Sequence, residues 1–390
     1  MAPKTHRLIN VQILRGVAAL LVVLTHAIDA SLQTSGEWAI TRFGYFENFG
    51  AFGVDLFFVI SGFVMAVSMF GKNGWAEAVH FLGGRWLRIA PAYYITTAAF
   101  VCLFIVDGTG VNKYGLFNAF FFVPWINPGE YVFPPHFIGW TLSYEFSFYL
   151  LVALVAILGF SRYIAWLGVA MVVFVVAGTV FSPSVFLLEW FSNPFFLEFA
   201  LGLGIWALWR RWADAKWFRT AGLAAGAIGV AIVLVEIVVG YGNVSDTGGT
   251  WLRSIIWGVP AALIFLGTIA LPEPREHLAS RFARYLGDAS YSIYLVHPIV
   301  FYVLARAITH YLPGTPGWVT LLIAIPLGTA AGLLFYRWVE DSITRDLRPR
   351  YERVSRRVLG RFRTPVTSSA TGYNRSSAGR LGARPEESRS

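Results

Sequence analysis

Long apolar stretches separated by short polar segments dominate the chain. A helix needs roughly 18 to 25 apolar residues to cross about 30 Å of hydrocarbon. Ten stretches meet this requirement, running approximately over Val11–Ala30, Phe49–Phe70, Ile89–Val106, Ile138–Leu158, Tyr163–Phe181, Pro194–Trp209, Ala221–Val239, Leu252–Leu271, Ser290–Thr309 and Trp318–Val339. A shorter apolar segment, Tyr114–Trp125, is predicted to lie in the interface or to re-enter. The pattern predicts an all-α, polytopic integral membrane protein, a bundle of about ten transmembrane helices.

Composition supports the membrane interpretation and removes other classes of protein. Hydrophobic residues make up 56% of the chain and charged residues only 14%, about half of what a soluble domain carries. The single cysteine, Cys102, excludes a disulfide framework and a zinc site with several cysteine ligands. The net charge of +9 is not a nucleic-acid signature, because the basic residues fall in short loops and near the C-terminus.

The distribution of lysine and arginine predicts the orientation. With both termini cytoplasmic, thirteen basic residues lie on the inner side before the tail and three lie outside. The outer three are Arg42, Lys113 and Arg253. This bias predicts a multi-pass protein of the inner (plasma) membrane with an even number of crossings. The first apolar stretch is too long, and too polar in places, for a cleaved signal peptide.

Two regions are predicted. Residues 1–344 form the membrane-embedded domain. Residues 345–390 are rich in arginine, serine and glycine, which predicts a basic, disordered cytoplasmic tail able to contact anionic lipid headgroups.

Ionisable residues within the apolar stretches indicate where chemistry takes place, because burying charge in hydrocarbon is costly. Arg15 and His26 lie eleven residues apart, which puts them on one helix face with His26 about 16 Å further along the axis. Counting from the outer surface puts Asp55 and Glu145 in the same layer as His26. A histidine and a carboxylate at one depth can act as a general base and its orienting partner.

Structural roles remain open for these residues. His26 could simply bond a neighbouring helix, and Asp55 could pair helices. Glu145 is accompanied by Ser143 and Tyr149, which makes its helix unusually polar.

A second group of polar residues is predicted at the inner surface. Arg85 and Arg88 are one turn apart, and such a pair can bind phosphate or pyrophosphate; the alternative is that they are topology anchors. His297, Arg337 and Glu340 are expected to serve structure or gating.

Five motifs in order resemble those of the acyltransferase-3 family. They are Leu14-Arg15-Gly16 with His26, Gly53-Val54-Asp55 through Ser61-Gly62, Arg85-Trp86-Leu87-Arg88, Trp140-Thr141-Leu142-Ser143-Tyr144-Glu145, and Ser290-Tyr291-Ser292-Ile293-Tyr294 with His297. The resemblance covers Val11–Glu340 and is nearest to exopolysaccharide acetyltransferases of the succinoglycan type.

The resemblance implies an O-acyltransferase that takes an acyl group, in particular acetyl, from cytoplasmic acyl-CoA to a hydroxyl of a surface or exported polysaccharide. It implies that Arg15 and His26 are essential and that Arg85 and Arg88 meet the CoA phosphates. The expected partners are a carbohydrate acceptor, polymeric or lipid-linked, and membrane lipids; no metal and no nucleic acid is expected. Some relatives carry an extracytoplasmic esterase-like domain, which is not expected in this chain.

The predicted mechanism has His26 taking the proton of a sugar hydroxyl, or relaying the acyl group, while Glu145 orients its imidazole. Tyr149 or Ser143 is expected to stabilise the oxyanion. Direct transfer and a covalent intermediate both remain open. The competing hypothesis is a transporter or flippase of a lipid-linked glycan or an organic anion, against which the chain shows no inverted repeat.

Overall fold

The computed structural model describes residues 8–35, 49–123, 126–127, 130–183, 185–239 and 250–359. Within these ranges nine helices are long and apolar enough to cross a membrane. The helices are α1 Ile9–Ser35, α2 Phe52–Met69, α3 Trp75–Val106, α4 Lys113–Phe121, α5 Gly139–Ile157, α6 Ile164–Phe181, α7 Phe186–Phe191, α8 Phe195–Trp212, α9 Lys216–Val239, α10 Trp251–Arg253, α11 Val259–Ala270, α12 Leu278–Asp288, α13 Ser290–Tyr311, α14 Gly317–Phe335 and α15 Asp341–Leu359. The predicted all-α, polytopic membrane fold is confirmed.

Short irregular elements connect or extend the helices. Single 3-10 turns precede α2 (Phe49–Ala51) and α6 (Ser161–Tyr163). One-turn π-helices precede α11 (Ser254–Gly258) and follow α14 (Tyr336–Glu340). Two-residue strands, Ile126–Asn127 and Glu130–Tyr131, form an antiparallel pair.

The sixth predicted span corresponds to α8, which is not among the nine apolar helices. It has 18 residues, and Glu198, Arg210 and Arg211 give it a more polar character than the other spans. It packs against α2 and α6. With α8 inside the bundle, the number of long helices in the described ranges agrees with the predicted count of about ten transmembrane helices.

The helices differ in how much of their surface is buried. α1 contacts α2, α12, α13 and α14 and lies near the centre of the bundle. In the most apolar part of α2, 78% of the residues are buried, whereas in α6 and α9 only 22% are. α2 therefore belongs to the core, while α6 and α9 present most of their apolar surface outward, as lipid-facing helices do.

The two ends of the bundle differ. We call the end at which α1, α3 and α13 begin the basic end, since Lys72, Arg85 and Arg88 lie toward it; the other is the opposite end. At the basic end the Gly74 amide donates to the Ala156 carbonyl at 2.8 Å, which brings the start of α3 to the end of α5. At the opposite end Thr34 Oγ1 lies 2.9 Å from Thr320 Oγ1.

α5 begins inside the bundle rather than at its opposite end. The Tyr294 hydroxyl, in the second turn of α13, donates to the Ile138 carbonyl at 3.3 Å, and His136 Nε2 lies 2.9 Å from the Leu295 carbonyl oxygen. The chain therefore re-enters before α5 starts. The prediction that Glu145 shares the layer of His26 is wrong, because Glu145 lies about 10 Å beyond Ile138 toward the basic end.

Two helix boundaries differ from the sequence predictions. The third span was predicted to begin at Ile89, but α3 begins at Trp75, four turns earlier, because its first half packs on α15. The tail was predicted to be disordered from residue 345, but α15 is helical to Leu359. Its contact with α3 gives residues 345–359 a folded partner. Residues 360–390 lie outside the described part of the chain.

Candidate active site

Two histidines meet within the bundle. His26 in α1 and His297 in α13 approach with Nδ1 of His26 2.9 Å from Nε2 of His297. Their ring centroids are 5.0 Å apart. His297 is fully buried and packs against Phe301, at 5.5 Å between ring centroids, while Phe137 lies edge-on to His26 at 5.2 Å. The pair lies in a largely apolar setting.

The hydrogen bonds of the pair define its tautomers. Nδ1 of His297 lies 2.9 Å from the Ile293 carbonyl oxygen, which can only accept, so Nδ1 of His297 carries a proton. In the neutral ring Nε2 then has the lone pair and accepts from Nδ1–H of His26. Nε2 of His26 is consequently the unprotonated nitrogen. A histidine in this state can take up a proton from a hydroxyl.

Glu145 does not orient His26, contrary to the sequence prediction. It accepts a hydrogen bond from the Tyr149 hydroxyl one turn along α5 and from Ser61 Oγ of α2 at 3.4 Å. The cause is the re-entrant start of α5, which moves Glu145 toward the basic end. His297 was expected to serve structure or gating. It instead lies beside His26, where Glu145 was predicted to be.

Glu145 belongs instead to a cavity with three arginines, here called the inner cavity. This cavity, of about 110 Å³, is lined among others by Arg15, Arg85, Arg88 and Glu145. The Arg85 guanidinium carbon lies 5.7 Å from the centre of the Phe81 ring and 5.8 Å from that of Tyr149. In the part of the chain that the structure describes, neither Arg85 nor Arg88 has a carboxylate within ion-pair distance. The inner cavity thus has an excess of positive charge.

A second cavity opens beside the first toward the basic end, and we call it the mouth cavity. It has a volume of about 260 Å³ and is lined mainly by residues of α3 and α15, together with Ser68 and Met69 of α2 and with Lys72 between α2 and α3. Arg85 and Arg88 line both cavities. The two arginines therefore stand at the junction between the mouth and the inner cavity, both on the face of α3 that the sequence predicts.

Tyr294 connects the inner cavity to the histidine pair. It lines the inner cavity, and its ring lies 6.2 Å from that of His297. Its hydroxyl is held 3.0 Å from Thr141 Oγ1. Tyr294 belongs to the fifth motif but is not among the predicted site residues. Its spacing of three residues from His297, one helix turn, indicates that the two side chains lie on the same face of the helix.

Asp55 is part of a buried ion pair away from the histidines. Its Oδ2 lies 2.9 Å from a terminal nitrogen of Arg253, and both side chains are at most 3% exposed. The guanidinium also lies over the rings of Phe195 and Trp257. Arg253 was predicted to be an outer loop charge and is instead buried, because Asp55 and these rings compensate its charge. The pair joins α2 to α10, which is the helix-pairing role left open for Asp55.

The remaining predicted residues divide between the cavity and the core. Tyr149 lines the inner cavity, whereas Ser143 is buried on α5 and is not among the residues that line it. Glu340 accepts from the Ser292 hydroxyl, which ties the end of α14 to α13. In the described ranges no group of three or more His, Cys, Asp and Glu side chains is arranged to hold a metal ion.

One buried histidine was missed entirely. His136 precedes α5, is fully buried and stacks on Tyr93 with ring centroids 5.8 Å apart. Its contact with the Leu295 carbonyl fixes the start of α5 against α13. It lies in a polar, aromatic loop without helical periodicity, so no pattern of residues indicates that it is at membrane depth.

The fold and the site define a helical membrane protein that has a basic cavity separated from a buried histidine pair by Tyr294. The model of the acyltransferase-3 family, described as an acyltransferase domain, matches residues 8–337. The chain belongs to this family and is an O-acyltransferase. The matched residues include every helix that lines the inner cavity.

Two relatives are similar over most of their length. The exopolysaccharide production protein ExoZ of Rhizobium meliloti (strain 1021) is 29% identical over 328 residues, which cover 83% of this chain and 98% of the relative. Nodulation protein 10 of Rhizobium leguminosarum bv. viciae is 27% identical over 355 residues, 83% of this chain and 89% of the relative. No solved structure matches the chain significantly.

Proposed function

We propose that this protein transfers an acetyl group from cytoplasmic acetyl-CoA to a hydroxyl of an exported polysaccharide, in the polymeric or lipid-linked form. Membership of the acyltransferase-3 family supports the reaction class. The similarity to an exopolysaccharide production protein supports a carbohydrate acceptor. The observation that carries the proposal is the basic inner cavity, one wall of which is Tyr294, the neighbour of His297.

The charge of the cavity suits an acyl-CoA donor. Guanidinium groups bind phosphate oxygens in bidentate fashion, and Arg85 and Arg88 have no carboxylate partner among the described residues. At the junction of the two cavities they would hold the CoA pyrophosphate. The thioester end would then enter the inner cavity, toward Tyr294 and the histidines.

His26 acts as the general base in this proposal. Nε2 of His26 takes the proton of the sugar hydroxyl while that oxygen attacks the thioester carbon. The new C–O bond forms, the C–S bond breaks, and the CoA sulfur leaves as a thiolate that takes up the proton. His297 positions the base by accepting from Nδ1–H of His26 and so stabilises the imidazolium that forms.

Arg15 and Tyr149 have supporting parts. Arg15 lines the inner cavity and supplies a fixed positive charge to the donor bound there. The Tyr149 hydroxyl lines the same cavity but donates its proton to Glu145, so it can only accept a hydrogen bond from the donor. Glu145 holds Tyr149 and balances part of the positive charge of the three arginines.

The proposal also includes the orientation of the protein in the membrane. The positive-inside bias puts the basic end in the cytoplasm, where acetyl-CoA is made, and both termini on that side. The membrane is the inner (plasma) membrane, so the acceptor approaches from the opposite end.

The test is a mass analysis of the polysaccharide from cells with and without the gene, and from cells in which the gene is restored. We expect intact polymer that lacks acetyl groups in the deletion and regains them on restoration. Polymer that is absent altogether would favour export of a glycan, and polymer with unchanged acetylation would refute the proposed acceptor.

A further inference from the structure

The mouth cavity is built partly by α15, which lies beyond the region matched by the family. The family match ends at residue 337, and α15 begins at Asp341. Thr344, Leu347, Arg348, Tyr351 and Glu352 of α15 line the cavity opposite residues of α3. One wall of the mouth is therefore a feature of this chain that the family assignment does not explain.

α15 is fixed to α3 by specific contacts. Nδ1 of His80 lies 2.7 Å from Ser355 Oγ, and the rings of His80 and Tyr351 stack at 5.5 Å. The Tyr351 hydroxyl donates to the His80 carbonyl at 2.9 Å. A Cβ on Gly83 would lie 2.4 Å from that hydroxyl, so the glycine is required for the two helices to approach. The wall is thus a packed part of the fold.

The mouth carries cations beyond the two at the junction. Lys72 and Arg348 line it in addition to Arg85 and Arg88. Two acidic residues, Glu77 and Glu352, line it as well. Nε of Arg348 donates to Glu352 Oε1 at 3.2 Å, which positions the guanidinium and leaves its terminal nitrogens for another acceptor. The mouth therefore combines positive groups with the flat faces of His80 and Tyr351.

We propose that the mouth cavity binds the adenosine 3′-phosphate end of the CoA donor, with Lys72 and Arg348 contacting the 3′-phosphate. The inference rests on the proposed function, because it names the part of that donor which this cavity takes. Arg85 and Arg88 hold the pyrophosphate at the junction and the acylated arm fills the inner cavity. The nucleotide then extends from the junction into the mouth, between α3 and α15.

The experiment compares two donors, acetyl-CoA and 3′-dephospho-acetyl-CoA, with the purified full-length protein. Lys72→Ala and Arg348→Ala should each raise KM for acetyl-CoA about tenfold, as expected for loss of a charge-assisted contact. KM for the dephospho donor should be the same in the variants and in the wild-type protein, because it has no phosphate for these residues to bind. Unchanged use of that donor also shows that the variants are folded.

Arg350→Ala is the matched control, since Arg350 lies on α15 and is not among the residues that line the mouth. It should leave KM for both donors unchanged. Equal increases in KM for the two donors, or no increase for either, would overturn the assignment of the 3′-phosphate. A wild-type protein that uses neither CoA thioester would instead overturn the proposed function, and this inference with it.

Discussion

His26 and His297 are 271 positions apart in the chain, yet their ring nitrogens are within hydrogen-bond distance. The sequence indicated that His26 is buried at membrane depth, because a histidine inside an apolar run is rare. It could not indicate the partner, because helix length and hydropathy do not define which faces of distant helices meet. Glu145 was assigned as the partner from a depth estimate that assumed α5 starts at the membrane surface.

The hydrogen-bond pattern of the pair gives a prediction at position 297. His297→Leu removes the acceptor for Nδ1–H of His26, so kcat should fall at least tenfold with little change in the donor KM. His297→Gln retains an oxygen that can accept this hydrogen bond, and should recover a substantial part of the lost rate. Acetyl transfer by purified variants measures both.

A His297→Gln protein no more active than His297→Leu would contradict the orienting role. His310→Ala serves as the control, because His310 is exposed at the end of the same helix. It should have wild-type kcat.

The arginines at the cavity junction give a second prediction. Arg85→Ala and Arg88→Ala each remove a phosphate contact worth roughly 1.5–3 kcal/mol, so the donor KM should rise about ten- to a hundredfold. Arg211→Ala removes a basic residue at the end of α8 that lines neither cavity. If all three variants have the same donor KM, Arg85 and Arg88 are topology anchors.

The helices themselves were predictable where apolar residues run without interruption. Most of the predicted spans match helices of the structure to within a few residues at each end. The exceptions follow from tertiary contacts. α3 extends four turns further because α15 covers its polar half. α5 has nearly its predicted bounds but lies deeper than predicted, because His136 and Tyr294 hold its start inside the bundle. Hydropathy contains no information about either contact.

Close packing of α2 on α8 gives a prediction at the level of elements. A Cβ on Gly202 would lie 2.1 Å from the Val59 carbonyl oxygen, a backbone atom that cannot move independently. Gly202→Ala should therefore destabilise the protein by about 1–3 kcal/mol, the usual cost of overpacking. Thermal unfolding of the detergent-solubilised protein would measure the loss.

Gly204, two residues away on the same helix, is the control. Nothing lies within 4 Å of a Cβ built there. Gly204→Ala should leave the unfolding temperature unchanged or slightly raised, because alanine favours helix. Equal unfolding temperatures of the Gly202→Ala and Gly204→Ala proteins would mean that α2 and α8 are not packed as described.

At the scale of the whole molecule, the two ends of the bundle make the orientation testable. Gly159 lies in the turn after α5 at the basic end, and Gly314 lies between α13 and α14 at the opposite end. Both have positive φ and open space around them, so an inserted reporter should be tolerated. A reporter at Gly159 should be cytoplasmic and one at Gly314 extracytoplasmic. Reporters on the same side would refute the arrangement, and exchanged sides would reverse the proposed orientation.

The loop 240–249, which the sequence also predicts to be extracytoplasmic, lies outside the described residues. The charge bias itself does not depend on Arg253. Arg253 is buried against Asp55 rather than exposed in a loop. The predicted orientation rests instead on the basic residues of the short loops at the basic end.

The most direct test of the account is acetyl transfer from labelled acetyl-CoA to the isolated polysaccharide by purified wild-type and His26→Ala proteins. General-base catalysis contributes about 10²- to 10⁴-fold, so the variant should lose that much of kcat at an unchanged unfolding temperature. The donor KM should stay near the wild-type value, because the arginines proposed to bind the donor are intact. A His26→Ala protein that transfers acetyl within tenfold of the wild-type rate would contradict the account.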